Sequence, residues 1–245
     1  MNQVILTIKE NVPAADGVFK MTLAGDVSAV TIPGQFINIS LAGKFLRRPI
    51  SVCDRSDDAL TILYKIVGQG TAQMAEMKAG ETLDVLTGLG NGFDVHGAAG
   101  HTLLIGGGIG AAPLYWLARD LKARGIRTTA VLGFNSAVDV YYSDEFAALC
   151  DRVILATADG SRGVKGFVTD AMADLSYDYF YTCGPEPMLK AVYRASRSDG
   201  QFSFEERMGC GFGACMGCTC ATITGWKRIC RDGPVLRKEE IRWED

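Results

Sequence analysis

The sequence predicts a multidomain β plus α/β protein: an antiparallel β-barrel over residues 1–97, a Rossmann-like α/β domain over 98–200, and a small cysteine-rich module over 201–245. Three observations carry this expectation. Short β-rich segments broken by Gly, Pro and Asp-Asp turns fill the first section, strands then alternate with helical runs, and Cys210, Cys215, Cys218, Cys220 and Cys230 crowd into the last.

In the first section the segments VILTIKE, GVFKMTL, GQFINISL, RPISVC, LTILYKIV and TLDVLTGL are each short enough, and separated by strong enough breakers, to close a small barrel. From His101 the texture changes. TLLI leads into a glycine loop and the helical run APLYWLARDLKARG, followed by RTTAVLGF, SDEFAALC, RVILATAD, GFVTDAMADL, YDYFYTC and PMLKAVYRASR. Alternation of this kind argues a parallel sheet covered on both faces. The last section is too short for a large core of its own, so a bound metal cluster is expected to supply the missing cross-links, because metal binding in small modules contributes directly to folding. It ends in the charged tail RKEEIRWED.

Composition narrows the class. A chain of 245 residues, 48% hydrophobic and 22% charged, can bury a substantial core. Its net charge of -3 gives no electrostatic footprint for nucleic acid or for an anionic membrane surface. The apolar runs are interrupted well before the roughly 20 residues a membrane span needs. The start, MNQVILTIKE, lacks the pattern of a secretory signal and reads directly into a strand, so a cytoplasmic protein is expected. In that setting a cysteine cluster points to metal rather than disulfides.

Cys210, Cys215 and Cys218 follow the spacing C-x4-C-x2-C, and Cys230 lies further on. This is the plant-type pattern for a 2Fe-2S centre, in which a tight loop supplies three thiolates and a returning segment the fourth. Gly209, Gly211, Gly213 and Gly217 allow backbone N–H groups to approach the sulfurs. Cys220, one strand period beyond Cys218, is surplus and is the alternative ligand. The competing reading is a four-cysteine zinc site, although such sites more often show paired C-x2-C knuckles.

GGGIGAAP follows the strand TLLI and opens a helix, with Gly106, Gly108, Gly110 and Ala111 in a dinucleotide-type turn whose N–H groups can meet a pyrophosphate. CGPEPM, from Cys183, follows the apolar strand DYFYTC at the expected carboxyl edge of the same sheet. Together the two resemble the nucleotide-binding half of the ferredoxin-NADP reductase superfamily. The resemblance implies that Cys183, Gly184 and Pro185 lie on the nicotinamide side. After RTTAVLGF the chain continues NSAVDV, without an Arg or Lys to grip a ribose 2′-phosphate, which favours NAD over NADP.

In the barrel section Arg48, Pro49, Ile50 and Ser51 resemble that superfamily's flavin motif, with Ile50 where an aromatic residue is common. An arginine there can pair with the FAD pyrophosphate and a strand-borne hydroxyl can reach the reactive ring. Leu63, Tyr64 and Lys65, followed by Gly70 and Thr71 at a turn, form the second flavin segment.

The order flavin barrel, nucleotide domain and C-x4-C-x2-C...C spans essentially the whole chain. The run SFEERMGCGFGACMGC closely resembles the iron–sulfur end of the electron-transfer subunits of type B dihydroorotate dehydrogenases. That resemblance implies an FMN-containing catalytic subunit as partner, in a heterotetramer of two copies each, with electrons from dihydroorotate passing through 2Fe-2S and FAD to NAD in pyrimidine biosynthesis. No residue of this chain serves as a catalytic base for dihydroorotate. The competing readings are a related reductase subunit of a hydrogenase or ferredoxin-NAD(P) system, and a non-catalytic metal-binding interaction module. His96 and His101 read as boundary residues, Glu205, Glu206 and Arg207 as a solvated turn or a contact to nucleotide or partner, Asp57 and Asp58 as a turn, and Trp116 as core.

Overall fold

The computed structural model describes residues 1–98 and 100–243; Ala99 and the last two residues of the charged tail lie outside the described residues. Strands β1 (Asn2–Ala15), β2 (Val18–Ala24), β3 (Phe36–Ile39), β4 (Arg48–Arg55), β5 (Ala59–Lys65) and β6 (Thr82–Leu89) close a barrel in the order β1-β2-β5-β4-β3-β6. Alternation along each strand turns Leu6, Ile8, Met21, Leu23, Ile37, Ile39, Ile62 and Val85 into one buried cluster. The barrel strands are those the sequence announces. Helix α1 (Gln69–Glu76), between β5 and β6, is not: the sequence reads Gly70 and Thr71 as a turn, and the structure places them in its first turn.

The second body is a seven-stranded sheet built on β7 (His101–Gly107), β8 (Arg127–Phe134), β9 (Arg152–Thr157), β10 (Val164–Lys165), β11 (Tyr179–Cys183) and β12 (Asp199–Ser203), all parallel. Its central strands carry apolar residues at successive positions, such as Leu103, Leu104 and Ile105, because both faces are covered. Helix α2 (Ala112–Ala123) buries Leu114, Leu117, Ala118 and Leu121 at helical spacing. It ends at Gly125, whose φ of +69° accepts the left-handed turn that closes the helix. The remaining helices are α3 (Ser143–Ala147), α4 (Val168–Met172) and α5 (Glu186–Ala195).

The cysteine-rich section adds the hairpin of β13 (Thr219–Thr222) and β14 (Gly225–Arg228), the short helix α6 (Ile229–Asp232), and β15 (Val235–Arg237). β15 does not stay with its hairpin: it pairs antiparallel with β12 and completes the order β10-β9-β8-β7-β11-β12-β15. An expected boundary after residue 200 thus falls inside β12, since a section too short for its own core completes a neighbour's. Cys218, Ile229, Cys230, Leu236 and Ile241 share one apolar cluster with Phe180, Leu189 and Phe202 of the sheet and with Phe36 and Leu89 of the barrel. On the opposite side Trp116 of α2, 5% exposed, reaches into the barrel cluster, and Arg119 pairs with Asp54 of β4 at 2.5 Å.

Phe202 sits where these layers meet, edge-on to Phe180 at 5.3 Å and to Trp243 at 5.7 Å. Phe202→Ala is therefore expected to lower unfolding stability by about 3–5 kcal/mol, measured by urea denaturation of the full chain; a loss below about 1 kcal/mol would contradict this packing.

Candidate functional site

Three groups of residues converge on the seam between barrel, sheet and cysteine loop. The first lies on the barrel wall. Antiparallel pairing sets Ile37 opposite Ile50, Asn38 opposite Pro49 and Phe36 opposite Ser51. Ile37 faces the barrel core and Ile50 packs against the same cluster, so Pro49 and Ser51 share the outer face with Asn38 and Phe36. Arg48 lies across the start of α1, where a Cβ on Gly70 would stand 2.2 Å from its Nε. Glycine leaves that space to the guanidinium. Thr71 closes the turn, its Oγ1 accepting from the Val67 N–H at 2.9 Å and donating to the Gly68 carbonyl at 3.1 Å. A guanidinium beside the N–H groups of a helix start is a cradle for phosphate oxygens.

The neighbouring segment divides differently. Leu63 and Tyr64 are both buried, and the Tyr64 hydroxyl donates to Asn11 Oδ1 at 2.8 Å inside the barrel. Burial pushes its phenol up to about 12. Its side chain is committed to the core, which leaves this stretch its backbone to offer. Lys65 reaches across to Asp139 at 3.6 Å.

The second group lies at the carboxyl edge of the sheet. β7 and β11 are neighbours, with Gly106 directly opposite Cys183. The loops that follow touch: a Cβ on Gly110 would lie 2.5 Å from the Cys183 carbonyl and 2.6 Å from Gly184 Cα, and one on Gly107 would lie 2.2 Å from Met188 Sδ. Glycine is what lets GGGIGAAP and CGPEPM form one surface. At Gly108, with φ of +53°, a Cβ would meet nothing within 4 Å, so the turn presents open backbone at the edge. Its carbonyl accepts from the Tyr141 hydroxyl at 2.9 Å. Ala111 and Pro185 complete this edge, each leading into the first turn of a helix. Burial pushes the Cys183 thiol up to about 12, opposed by a hydrogen bond with Ser203 and aided by the charge of Glu205. Glu205, which sequence reading left undecided, thus lies within electrostatic reach of Cys183, and Glu206 stands similarly toward Cys220.

The third group is the cysteine loop. Left-handed residues at Gly211, Gly213 and Met216, with φ of +81°, +93° and +61°, curl it so that N–H groups face sulfur. Ala214 and Cys215 donate to Cys210 Sγ at 3.2 and 3.4 Å, Gly217 to Cys215 Sγ at 3.5 Å, and Cys230 to Cys218 Sγ at 3.4 Å. The thiols come in two pairs, Cys210 beside Cys215 and Cys218 beside Cys230. Among the described residues no three metal-binding side chains converge as they would on a single ion. Two pairs fit a centre of two irons, each completed by two thiolates besides its bridging sulfides. Donors aimed at sulfur favour thiolate, as such a centre requires. Although burial opposes it, the N–H groups of Cys215, Phe212 and Ala214 draw the Cys210 thiol down to about 6. Cys220 instead lines a small cavity with Glu186, Phe204, Glu206 and Trp243.

Several side chains that hold the loop carry no motif. Arg228 pairs with Asp232 at 3.1 Å and donates to the Gly213 carbonyl at 3.0 Å, bracketing the loop against α6. Asn91, just past β6, donates to the Val235 carbonyl at 2.7 Å and accepts the Val235 N–H at 3.1 Å. Asn38 donates to the Cys210 carbonyl at 3.0 Å. The one sequence signal among them is Asn38, a polar residue inside the apolar strand FINI. The histidines are structural, His101 bonding Ser176 and Thr129 through its ring and His96 capping on Asp94 through its backbone.

A flavin-type barrel, a nucleotide-type sheet edge and a paired-thiol loop together define an oxidoreductase of the ferredoxin-reductase class with an added iron–sulfur segment. Residues 104–194 match the oxidoreductase NAD-binding domain, and residues 205–242 match the iron–sulfur cluster binding domain of dihydroorotate dehydrogenase B. The chain belongs to the family of dihydroorotate dehydrogenase B (NAD(+)) electron transfer subunits. It is 44% identical to the member from Fusobacterium nucleatum subsp. nucleatum, over 97% of this chain and 98% of that one. It is 42% identical to the one from Bacillus caldolyticus, over 96% and 97%. Among solved structures, an NADH-dependent reduced ferredoxin-NADP oxidoreductase aligns at a TM-score of 0.89 with 33% identity, over 99% of this chain and 91% of that one. A ferredoxin NADP+ reductase from Neisseria gonorrhoeae shares the fold, with a TM-score of 0.70 at 17% identity over 80% of this chain and 90% of that one.

In the metal-free chain, Cys210 is expected to alkylate at a rate that rises as pH passes about 6, because the thiolate is the nucleophile. Cys183, its thiol held near 12, stays protonated and slow through neutral pH. Timed iodoacetamide labelling with peptide mapping checks this ordering; equal rates for the two at pH 7 would contradict it.

Proposed function

We propose that this chain is the electron-transfer subunit of an NAD-dependent dihydroorotate dehydrogenase, carrying electrons from the FMN of a catalytic partner, by way of 2Fe-2S and FAD, to NAD+ in pyrimidine biosynthesis. The observation that carries the reading is the convergence of the barrel wall, the sheet edge and the two thiol pairs on one seam. A flavin supplies the exchange between one-electron transfer at iron–sulfur and two-electron hydride transfer at nicotinamide.

The chain's own residues bind and orient. Arg48 and the N–H groups around Gly70 and Thr71 hold the FAD pyrophosphate, while Pro49, Ile50 and Ser51 form the strand beside its ring, with Leu63, Tyr64 and Lys65 on the next. Gly106, Gly108, Gly110 and Ala111 present open backbone to the dinucleotide, and Cys183, Gly184 and Pro185 border the nicotinamide. The protonated Cys183 thiol offers a neutral surface there. Cys210, Cys215, Cys218 and Cys230 ligate the cluster. Residues 1–97 act as the flavin unit, and 98–200 and 201–245 as nucleotide and cluster units that share strand β12. NAD rather than NADP fits the absence of Arg or Lys in NSAVDV.

The partner meets the cluster section, in an assembly of two copies of each subunit working in the cytoplasm. Phe212 and Met216 on the loop and Ile223 and Trp226 on the β13–β14 hairpin are exposed apolar side chains, Trp226 at 76%. Such side chains anchor interfaces when covered. Trp226→Asp is expected to weaken binding of the catalytic subunit at least about tenfold by calorimetric titration, with NADH oxidation by artificial acceptors retained; unchanged affinity would place the partner elsewhere.

The direct test is the visible spectrum of the purified chain before and after NADH. Flavin bands and broad iron–sulfur absorption, both bleached by NADH, with no orotate formed from dihydroorotate by the chain alone, are the expected result. A folded, iron-replete chain without flavin, or robust orotate production, would refute the assignment.

A further inference from the structure

Phe45 is 101% exposed and Val67 82%, the two highest values among the large apolar side chains of the described barrel residues. They are not scattered. Phe45 stands three residues before Arg48 and Val67 three residues before Gly70, so each precedes one half of the phosphate cradle. Further contacts hold the two segments side by side. The loop joining β3 to β4 lies along α1, with Lys44 Nζ donating to Gln69 Oε1 at 2.8 Å and Gln73 Nε2 to the Ala42 carbonyl at 3.2 Å. The Arg48 guanidinium donates to the carbonyl of Leu46, the residue that follows Phe45. On the other segment the Val67 N–H is held by Thr71 Oγ1.

Backbone around both positions is thus tied to the cradle while both side chains are left in solvent. Exposed apolar side chains scattered singly need no explanation, whereas those gathered at a polar cradle mark a place for the apolar part of a ligand. The direction of β4 says which part. In the functional reading the flavin ring lies beside Pro49 and Ser51 and the pyrophosphate at Arg48, so FAD runs toward the beginning of the strand. A strand advances about 3.3 Å per residue, and the chain met on continuing past Arg48 is the loop that carries Phe45. What remains of FAD on that line is the adenosine. Adenine presents a flat π-face, and a phenyl ring with nothing of its own chain packed on it is a stacking platform for such a face.

We propose that Phe45 stacks on the adenine of FAD, with Val67 as an apolar flank, and that this contact selects FAD over FMN, which shares the ring and one phosphate but lacks the adenosine. The proposal rests on the functional reading above. It assigns the half of the cofactor that the barrel wall and the cradle leave unheld.

Because Phe45 buries nothing against its own chain, replacing it leaves the barrel core untouched. The test titrates the flavin-free full chain with FAD and, separately, with FMN, followed by flavin fluorescence. The wild type is expected to prefer FAD. Phe45→Ala is expected to bind FAD about tenfold more weakly with FMN affinity unchanged, and Phe45→Trp to bind FAD as the wild type does. Wild-type FAD affinity in Phe45→Ala would overturn the proposal, as would equal losses of FAD and FMN, or a loss in Phe45→Trp as large as in Phe45→Ala. A Phe45→Ala chain that binds FAD normally but no longer binds the catalytic subunit would give the ring to the partner and overturn it too. A wild type that takes up neither flavin sinks the functional reading itself, whereas one that binds FAD and FMN equally tightly keeps the flavin site and overturns this proposal alone.

Discussion

The pairing of β15 with β12 is the constraint on which the arrangement of the redox seam depends. Without it the cysteine-rich section would be a loop and a two-stranded hairpin, with little apolar surface to bury and no fixed place relative to the barrel. With it, Phe202 pairs with Leu236 in the ladder, and Ile229, Cys230 and Ile241 enter the same apolar cluster as Phe180 and Leu189. The edge of the parallel sheet is covered by the same step, which removes a row of unpaired backbone groups from solvent. Asn91 then ties this strand back to the end of β6, so the section is held by the sheet on one side and the barrel on the other.

Close backbone approach does the remaining work. Gly110 against Cys183 and Gly184, Gly70 against Arg48 and Gly211 against Asn38 are three places where a Cβ would overlap a neighbour by well over the tolerance of packed atoms. Each joins segments distant in sequence, and each lies at a site assigned to a different cofactor. Substitution there acts on the geometry between elements rather than on any one element, which is why such positions read as functional although the residue has no chemistry of its own. The polar groups that complete the seam, Arg228 with Asp232 and Asn38 with Cys210, are similarly of long range or hidden within a loop.

The family membership and the electrostatics of the loop agree in kind. Thiols in two pairs, with N–H groups aimed at sulfur and the first thiol drawn down to about 6, suit a centre of two irons that must hold charge without a nearby basic side chain on every sulfur. Cys183 is held in the opposite sense by burial, and burial likewise pushes the Cys230 thiol, inside the apolar cluster, up to about 12, so the more exposed end of the loop at Cys210 is where backbone donors outweigh desolvation.

By itself the sequence determined the local units. Period-two strands and their breakers give the barrel, strand–helix alternation gives the parallel sheet, and C-x4-C-x2-C with a distant Cys gives the iron–sulfur character of the last section, because each is set by contacts within a few residues or by a spacing that one small centre requires. The tertiary structure alone decided that Gln69–Glu76 is helical, that Tyr64 turns its ring into the core, that β15 joins the sheet, and that Asn38 touches Cys210. Those outcomes depend on which surfaces remain to be buried once the barrel and sheet exist, a quantity that no window of sequence contains.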